Sequence, residues 1–194
     1  MRIVGGSLKG RKLIAPAGSS IRPTSDRVRE ALFNRLVHGA FSRDGASSLT
    51  DAVVLDVFCG TGAIGLEALS RGARQAYFMD NDSLSISTTR RNISSLGVGD
   101  HSTVLQTDAI LPPPRLESCA LVFLDPPYAE DLGADALGAL AQAGWVRPGA
   151  LCISERQDTS KPWAIPSDFR LLDQRRYGKA EISILRYVPG TAQI

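Results

Sequence analysis

The chain has 194 residues, of which 43% are hydrophobic and 22% charged, with a net charge of +2 at pH 7. This is the composition of an ordinary soluble globular protein, and the length suits one well-buried domain better than two. The sequence shows no N-terminal targeting signal, in which charged residues precede an apolar stretch. It also has no apolar run near the 18 residues that span a bilayer. We therefore expect the protein to be located in a reducing cytoplasm.

The charge is distributed unevenly along the chain. Residues 1 to 43 contain nine Lys and Arg against two Asp and Glu, a balance of +7, whereas the rest contains 13 against 18, a balance of −5. A basic segment joined to an acidic body predicts that contacts to nucleic-acid phosphates come from the N-terminus. The alternative is a solvated charged face. The pattern divides the chain into a basic N-terminal extension, residues 1–43, and a body, residues 44–194, which together form one compact unit.

The N-terminal extension has two predicted elements. Residues 2 to 14 alternate around Gly5, Gly6 and Gly10, which predicts a short β-hairpin followed by a loop over residues 16 to 23. Thr24 or Ser25 can cap the next helix, where an i, i+4, i+8 apolar stripe is expected to face the core. The stripe consists of Val28, Leu32 and Leu36.

A glycine turn follows the first predicted strand of the body, near residue 52. The turn reads Gly60-x-Gly62-x-x-Gly65 and opens a helix, a spacing that fits dinucleotide sites but is a weak signal alone. Asp56 decides against a pyrophosphate, which needs bare backbone amides and no nearby carboxylate. S-adenosylmethionine instead carries two cationic groups, an ammonium and a sulfonium, which the Asp56 carboxylate can attract. The helix N-terminus can bind the methionine carboxylate of the same molecule.

Two further acids follow predicted strands near residues 75 and 102. Asp80 ends the first of them, about 20 residues beyond the glycine turn, where an acid can accept both ribose hydroxyls. Asp82 is the neighbouring competitor for that role. Asp108 ends the next strand and could accept from the adenine 6-amino group. Each acid alone could be a solvated turn or helix-cap residue, but their order at successive strand ends favours a cofactor site.

The strand near residue 119 ends in Asp125-Pro126-Pro127-Tyr128. Proline fixes φ and lacks an N–H, so the carbonyls of Asp125 and Pro126 are expected to be held outward as acceptors, which suit an exocyclic base amine. Tyr128 offers a face on which a splayed-out base can stack. We call these four residues the ledge. The alternative is that the prolines only stop a strand.

These motifs, with Arg2 to Gly6, Lys9-Gly10-Arg11, Arg22 to Asn34 and Tyr177-Gly178, resemble one known family over nearly the whole chain. It is the bacterial guanine-N2 methyltransferases of 16S ribosomal RNA, which are class I S-adenosylmethionine-dependent enzymes. Relatives that methylate an adenine amine or a protein glutamine favour Asn at the first ledge position, so Asp125 argues against those substrates. A non-catalytic ribosome-assembly factor is a further alternative, disfavoured by the intact acids.

The resemblance implies an α/β, Rossmann-like fold: a mostly parallel seven-stranded sheet with a C-terminal antiparallel hairpin, plus the N-terminal hairpin and helix. It implies S-adenosylmethionine as cofactor, and 16S rRNA, the small ribosomal subunit or an assembly intermediate as partner of a monomeric enzyme. The residues implied to bind the cofactor are Asp56, Phe58, Gly60, Thr61, Gly62, Asp80, Asn81, Asp108, Ala109 and Asp125. Those implied in catalysis are Asp125, Pro126, Pro127 and Tyr128. Those implied to contact RNA are Lys9, Arg11, Lys12, Arg22 and Tyr177.

The remaining elements complete the predicted sheet. A strand is expected near residue 149, and residues 169 to 177 and 180 to 187 are expected to pair as a hairpin through Gly178-Lys179. Three widely spaced cysteines and two histidines without ligand spacing support neither a disulfide framework nor a metal site.

Overall fold

The computed structural model describes residues 1–15, 26–38, 41, 47–126, 132–156, 163–178 and 180–190. Four α-helices, one short 3-10 helix (Gly99–His101) and seven strands lie in these ranges. The helices are α1 (Asp26–His38), α2 (Ala63–Ser70), α3 (Ser83–Leu96) and α4 (Gly133–Gln142). The strands are β1 (Val53–Val57), β2 (Gln75–Asp80), β3 (Ser102–Gln106), β4 (Cys119–Leu124), β5 (Val146–Arg156), β6 (Phe169–Tyr177) and β7 (Ala180–Tyr187).

The seven strands form one sheet in the order β3-β2-β1-β4-β5-β7-β6. The first five pair in parallel, and β7 pairs antiparallel with both β5 and β6. The predicted fold class is therefore confirmed, including the C-terminal hairpin. Because β1 lies between β2 and β4, the strand order reverses there, and in such sheets ligands bind beyond the carboxyl ends of the strands at that point.

The two faces of the sheet are covered by different helices. Helix α4 and the fully buried Trp145 pack on the face that carries Leu55, Val57 and Met79. Helices α1, α2 and α3 cover the other face, where Val54 and Phe78 point. Both faces are apolar because a parallel sheet is covered on both sides, which explains why all five residues of β1 are buried.

The N-terminal segment, residues 1–15, packs against α2 and α3. Its two arms are joined by one antiparallel bridge, Arg2 with Lys12, and by backbone bonds from Ile3 to Arg11 and from Gly10 to Ile3. The expected hairpin is therefore present as a pairing but too short to form strands. Its tip is held by α2 instead, since the amide of Ser7 donates to the Ser70 carbonyl at 2.7 Å.

A buried group of charges joins this segment to α1 and α2, and the sequence did not predict it. Glu67 and Arg29 are both 0% exposed. Glu67 accepts from the Val4 amide at 2.8 Å and from the Arg71 guanidinium at 2.7 Å, while Arg29 Nε lies 3.6 Å from its carboxylate. Arg29 also donates to the Arg2 carbonyl. In the described residues, the N-terminal segment, α1 and α2 are thus joined by buried contacts.

Two apolar residues of the predicted α1 stripe, Leu32 and Leu36, are buried in the core, while Val28 is half-buried beside it. The proposed caps, Thr24 and Ser25, lie outside the described residues. None of the helices in the described part of the chain has the length and apolar character that crossing a bilayer requires. The three cysteines, Cys59, Cys119 and Cys152, are buried free thiols.

Candidate functional site

The predicted acids meet at the carboxyl edge of the parallel strands. Strand β1 pairs with β2 and β4, so that Val57 lies opposite both Met79 and Leu124. Asp80 ends β2, and Asp125 follows β4 directly. The Asp125 amide lies 3.5 Å from the Val57 carbonyl, the last of β1. Residues distant in sequence are therefore brought to one edge around the glycine turn, residues 58–62.

The glycine turn is built from left-handed backbone. Gly60 and Gly62 have φ angles of 54° and 75°, and Phe58, which has a side chain, has a φ of 59°. Non-glycine residues adopt this region at a cost and often near functional sites. The Cys59 amide donates to the Met79 carbonyl at 3.0 Å, which ties the turn to β2. Phe58 is one of the cofactor residues that the family resemblance implies, but no local pattern in the sequence indicates its left-handed backbone.

Two of the motif glycines are required by close packing. A Cβ atom added at Gly65 would lie 2.4 Å from the Phe78 ring, and one added at Gly62 would lie 2.9 Å from the Thr89 side chain. A Cβ atom added at Gly60 would make only an ordinary contact, 4.0 Å from the Phe58 carbonyl oxygen. The spacing that was interpreted as a cofactor motif therefore also reflects how α2 approaches β2 and α3.

Asp56 lies beneath the turn rather than on its surface. Asp56 is only 4% exposed. One of its carboxylate oxygens accepts a hydrogen bond of 2.8 Å from the amide of Gly65, in the first turn of α2. Burial raises the pKa of Asp56 to about 8, against the lowering effect of that hydrogen bond, and the charge of Asp80 raises it further. A buried carboxyl of this kind favours a nearby cation.

Asp80 and Asp82 have different surroundings. Asp80 accepts from the Gly60 amide at 2.9 Å and from the Asp82 amide at 3.0 Å, one bond to each oxygen. Asp82 is the N-cap of α3 and accepts from the Ser85 amide at 2.8 Å and from its hydroxyl at 2.9 Å. These bonds lower the pKa of Asp82. Of the two competing acids, Asp80 is the one that faces the glycine turn.

Helix α3 supports the glycine turn through residues that the sequence analysis missed. The Thr89 hydroxyl donates to the Gly60 carbonyl at 3.0 Å, and the Asn92 amide donates to the Thr61 carbonyl at 2.9 Å. Both residues are 0% exposed. Thr89 and Asn92 follow Ser85 by four and seven residues, so the three lie on one face of the helix. Polar residues at this helical spacing on the core face are the signal that could have identified them.

The remaining cofactor candidates lie around this edge. Asp108 follows β3 and accepts from the Ile110 amide at 3.0 Å, a local turn bond that leaves its other oxygen for a further donor. Ala109 is buried in the core, so only its backbone could meet a ligand. The exposed Asn81 follows Asp80, and its backbone carbonyl lies 3.5 Å from Nε2 of the Gln106 side chain.

The ledge is described in part. Asp125 is half-buried and Pro126 is buried, directly after the end of β4. Pro127 and Tyr128 lie outside the described residues.

The candidate RNA contacts occupy two regions. Lys9, Arg11 and Lys12 are exposed on the N-terminal segment, where Arg11 also donates to the Ser95 carbonyl of α3 at 2.6 Å. Tyr177 lies at the carboxyl edge, beside the turn that joins β6 to β7, and its half-buried ring packs against the core beneath α1. It is therefore separate from the basic residues. Arg22 lies outside the described residues.

The donor and acceptor groups of this edge fit S-adenosylmethionine. Asp80 has lone pairs left on both oxygens for a vicinal diol, and Asp56 can balance a cation. In the described residues no group of His, Cys, Asp and Glu could hold a metal ion.

Comparisons with known proteins agree on one family. The family model described as conserved hypothetical protein 95 matches residues 1–186. Ribosomal RNA small subunit methyltransferase D of Escherichia coli strain K12 is 33% identical over 179 residues, covering 92% of this chain and 86% of that protein. A Bacillus subtilis protein named as an rRNA methyltransferase is 40% identical over 137 residues, covering 67% and 68%. A solved structure from Escherichia coli, described as a methyltransferase, superimposes with a TM-score of 0.82 at 32% identity and covers 97% of this chain and 98% of that one.

Proposed function

Because this chain belongs to the family of bacterial small-subunit rRNA methyltransferases, we propose that it transfers a methyl group from S-adenosylmethionine to the exocyclic 2-amino group of a guanine in 16S rRNA. One observation carries the proposal. The ledge that begins at Asp125 adjoins the strand that leads into the glycine turn, with the two backbones 3.5 Å apart between Asp125 and Val57. A base amine on the ledge then faces a cofactor in the turn.

S-adenosylmethionine supplies a methyl group on a sulfonium, which is already an activated leaving group. The chain's own residues then act mainly by positioning. The Asp125 carboxylate and the Pro126 carbonyl accept the two hydrogens of the amine and direct its nitrogen lone pair toward the glycine turn. For a well-aligned pair of reactants, positioning can contribute up to about 7 to 11 kcal/mol.

Asp125 has a second role, because positive charge develops on the amine nitrogen during transfer. Its half-buried carboxylate offsets that charge, an effect of about 3 kcal/mol by analogy with single preorganised groups. Asp80 holds the ribose hydroxyls. A cation bound in the turn would favour the ionised form of the buried Asp56, which then acts as its counter-charge. Tyr128 stacks on the base.

The test is methyl transfer by the purified protein with labelled S-adenosylmethionine. The acceptors are 16S rRNA and 30S subunits from a strain that lacks this gene, followed by nucleoside analysis of the product. We expect N2-methylguanosine. N6-methyladenosine, label in a ribosomal protein, or RNA binding without transfer would each replace the proposal with one of its alternatives.

Asp125→Ala is the variant that tests the mechanism. We expect the rate of methyl transfer to fall by about 10² or more, the typical cost of losing one preorganised group, while cofactor affinity stays within a few-fold. Single-turnover kinetics and calorimetry separate the two. Near-normal turnover would make the ledge structural only.

A further inference from the structure

Three segments of the chain meet at one buried side chain, that of Asn92 on α3. Its Oδ1 accepts from the Ile14 amide at 2.7 Å, and its Nδ2 donates to the Ile14 carbonyl at 3.0 Å and to the Thr61 carbonyl at 2.9 Å. The residue is 0% exposed. Both hydrogens of the amide are used, and both backbone groups of Ile14 are bound.

The two segments joined by Asn92 belong to different parts of the proposed site. Thr61 lies in the glycine turn, where the cofactor is proposed to bind. Ile14 lies two residues beyond Lys12 and ends the basic N-terminal segment. A buried polar network of this kind is costly to break, because each lost bond leaves a group without water or partner. The turn and the segment therefore keep one relative position or lose several bonds together.

A second contact links the same two segments. The Met1 sulfur lies 3.9 Å from the Thr61 hydroxyl, and the Met1 carbonyl accepts from the Leu13 amide at 3.2 Å. Thr89 differs from Asn92, because its hydroxyl contacts the turn alone, at the Gly60 carbonyl and the Cys59 thiol.

We propose that Asn92 is a positioning residue that couples RNA binding to cofactor binding. RNA that holds the basic segment fixes Ile14, and through Asn92 it fixes Thr61 in the conformation that receives the cofactor. Each ligand orders what the other must order, so the two bind with positive cooperativity, and the coupling is the same in both directions. The inference rests on the proposed function for the identity of both ligands.

The experiment measures the affinity for S-adenosylhomocysteine, which cannot react, by calorimetry with and without saturating RNA. The RNA is 16S rRNA or 30S subunits from the deletion strain, whichever the parent binds. For the parent we expect RNA to tighten binding by about fivefold or more, within the usual range of coupling between sites. For Asn92→Ala we expect the ratio of the affinity with RNA to the affinity without RNA to fall to about one.

Two further variants separate coupling from general loosening. Thr89→Val should weaken binding with and without RNA and keep the parental ratio, because it loosens only the turn. Ile14→Pro removes one donor to Asn92 without altering α3, and it should lower the ratio even if Asn92→Ala does not fold.

A parent ratio of one, or an unchanged ratio in both Asn92→Ala and Ile14→Pro, would overturn the inference. Methyl transfer by the parent is measured in parallel. If transfer occurs and the ratio is one, only the coupling is wrong, whereas no transfer and no cofactor binding would overturn the proposed function as well.

Discussion

At the scale of single residues, Asp80 and Asp82 show how two neighbouring acids come to differ. Asp80→Ala should weaken S-adenosylmethionine binding by roughly 1 to 3 kcal/mol, because the ribose hydroxyls lose a charged acceptor. Asp82→Ala should leave affinity within a few-fold and lower the free energy of unfolding by about 1 kcal/mol, because α3 loses its N-cap. Calorimetry and urea denaturation measure the two effects. The reverse pattern would show that Asp82 is the ribose acceptor.

Asp56 gives a prediction about pH. Its pKa is raised from 3.8 to about 8 by burial, so the folded protein holds a proton that the unfolded chain releases near pH 4. The stability that this contributes is present below pH 4 and is lost as pH rises toward 8, by up to about 1.4 kcal/mol per pH unit. Compared with that of Asp56→Asn, the free energy of unfolding of the parent should therefore fall as the pH rises from 5 to 8.

Urea denaturation of both proteins at several pH values would measure this difference. A difference that stays constant across that range would mean that Asp56 is already ionised in the folded protein. A lowered pKa would also give a constant difference in this range, and the parent would instead lose stability relative to the variant below about pH 4.

At the scale of elements, the buried charges between α1 and α2 should determine stability. Glu67→Ala leaves Arg29 and Arg71 without their shared carboxylate in a buried place, which typically costs about 3 to 5 kcal/mol. Glu117→Ala is the matched control, because its pair with Arg74 is about half exposed. Such pairs contribute about 0 to 1 kcal/mol. Equal losses in the two variants, measured by urea denaturation, would contradict this account.

The sequence predicted those elements whose pattern is local. Apolar strands followed by Gly60 or by Asp125, and the pair of strands around Gly178, are recognisable within about ten residues, and the structure contains them. The position of Glu67 in the core could not be predicted, because its partners Val4 and Arg29 are distant in the chain. The same holds for Asn92, whose polar side chain reads as exposed until Ile14 and Thr61 are placed beside it.

The N-terminal hairpin shows a limit of alternation as a signal. Residues 2 to 14 have the pattern of a strand pair, but a helix competes for the same amides. Val4 donates to Glu67 and Ser7 to the Ser70 carbonyl, so only a single bridge remains between the arms. A pattern of period two predicts extended backbone and not its hydrogen-bond partner.

At the scale of the whole molecule, the charge asymmetry predicts where RNA binds. Neutralising Lys9, Arg11 and Lys12 together should weaken RNA binding and flatten the log–log dependence on salt by up to about two units, since roughly 0.7 to 0.9 counterions are released per phosphate neutralised. Cofactor affinity without RNA should stay unchanged. Filter binding at several salt concentrations measures the slope.

The matched control neutralises three exposed arginines elsewhere on the molecule, Arg115, Arg147 and Arg170. Their loss should leave the slope near the parental value. An unchanged slope in the N-terminal variant, or a loss of S-adenosylmethionine binding there, would instead make the segment a part of the cofactor site.

The attachment of the N-terminal segment to the end of α2 limits which RNAs can be substrates. Ser7 is bound to Ser70 at the end of α2, toward the amino edge of the sheet, whereas Asp125 lies at the carboxyl edge. Helix α2 alone separates the edges by about 12 Å, at 1.5 Å per residue. An RNA that meets both regions must reach across the side of the protein, so its length and folded shape select it before any base is read. Free guanosine and very short oligonucleotides should be poor substrates, and a graded set of RNA fragments would reveal the minimum length.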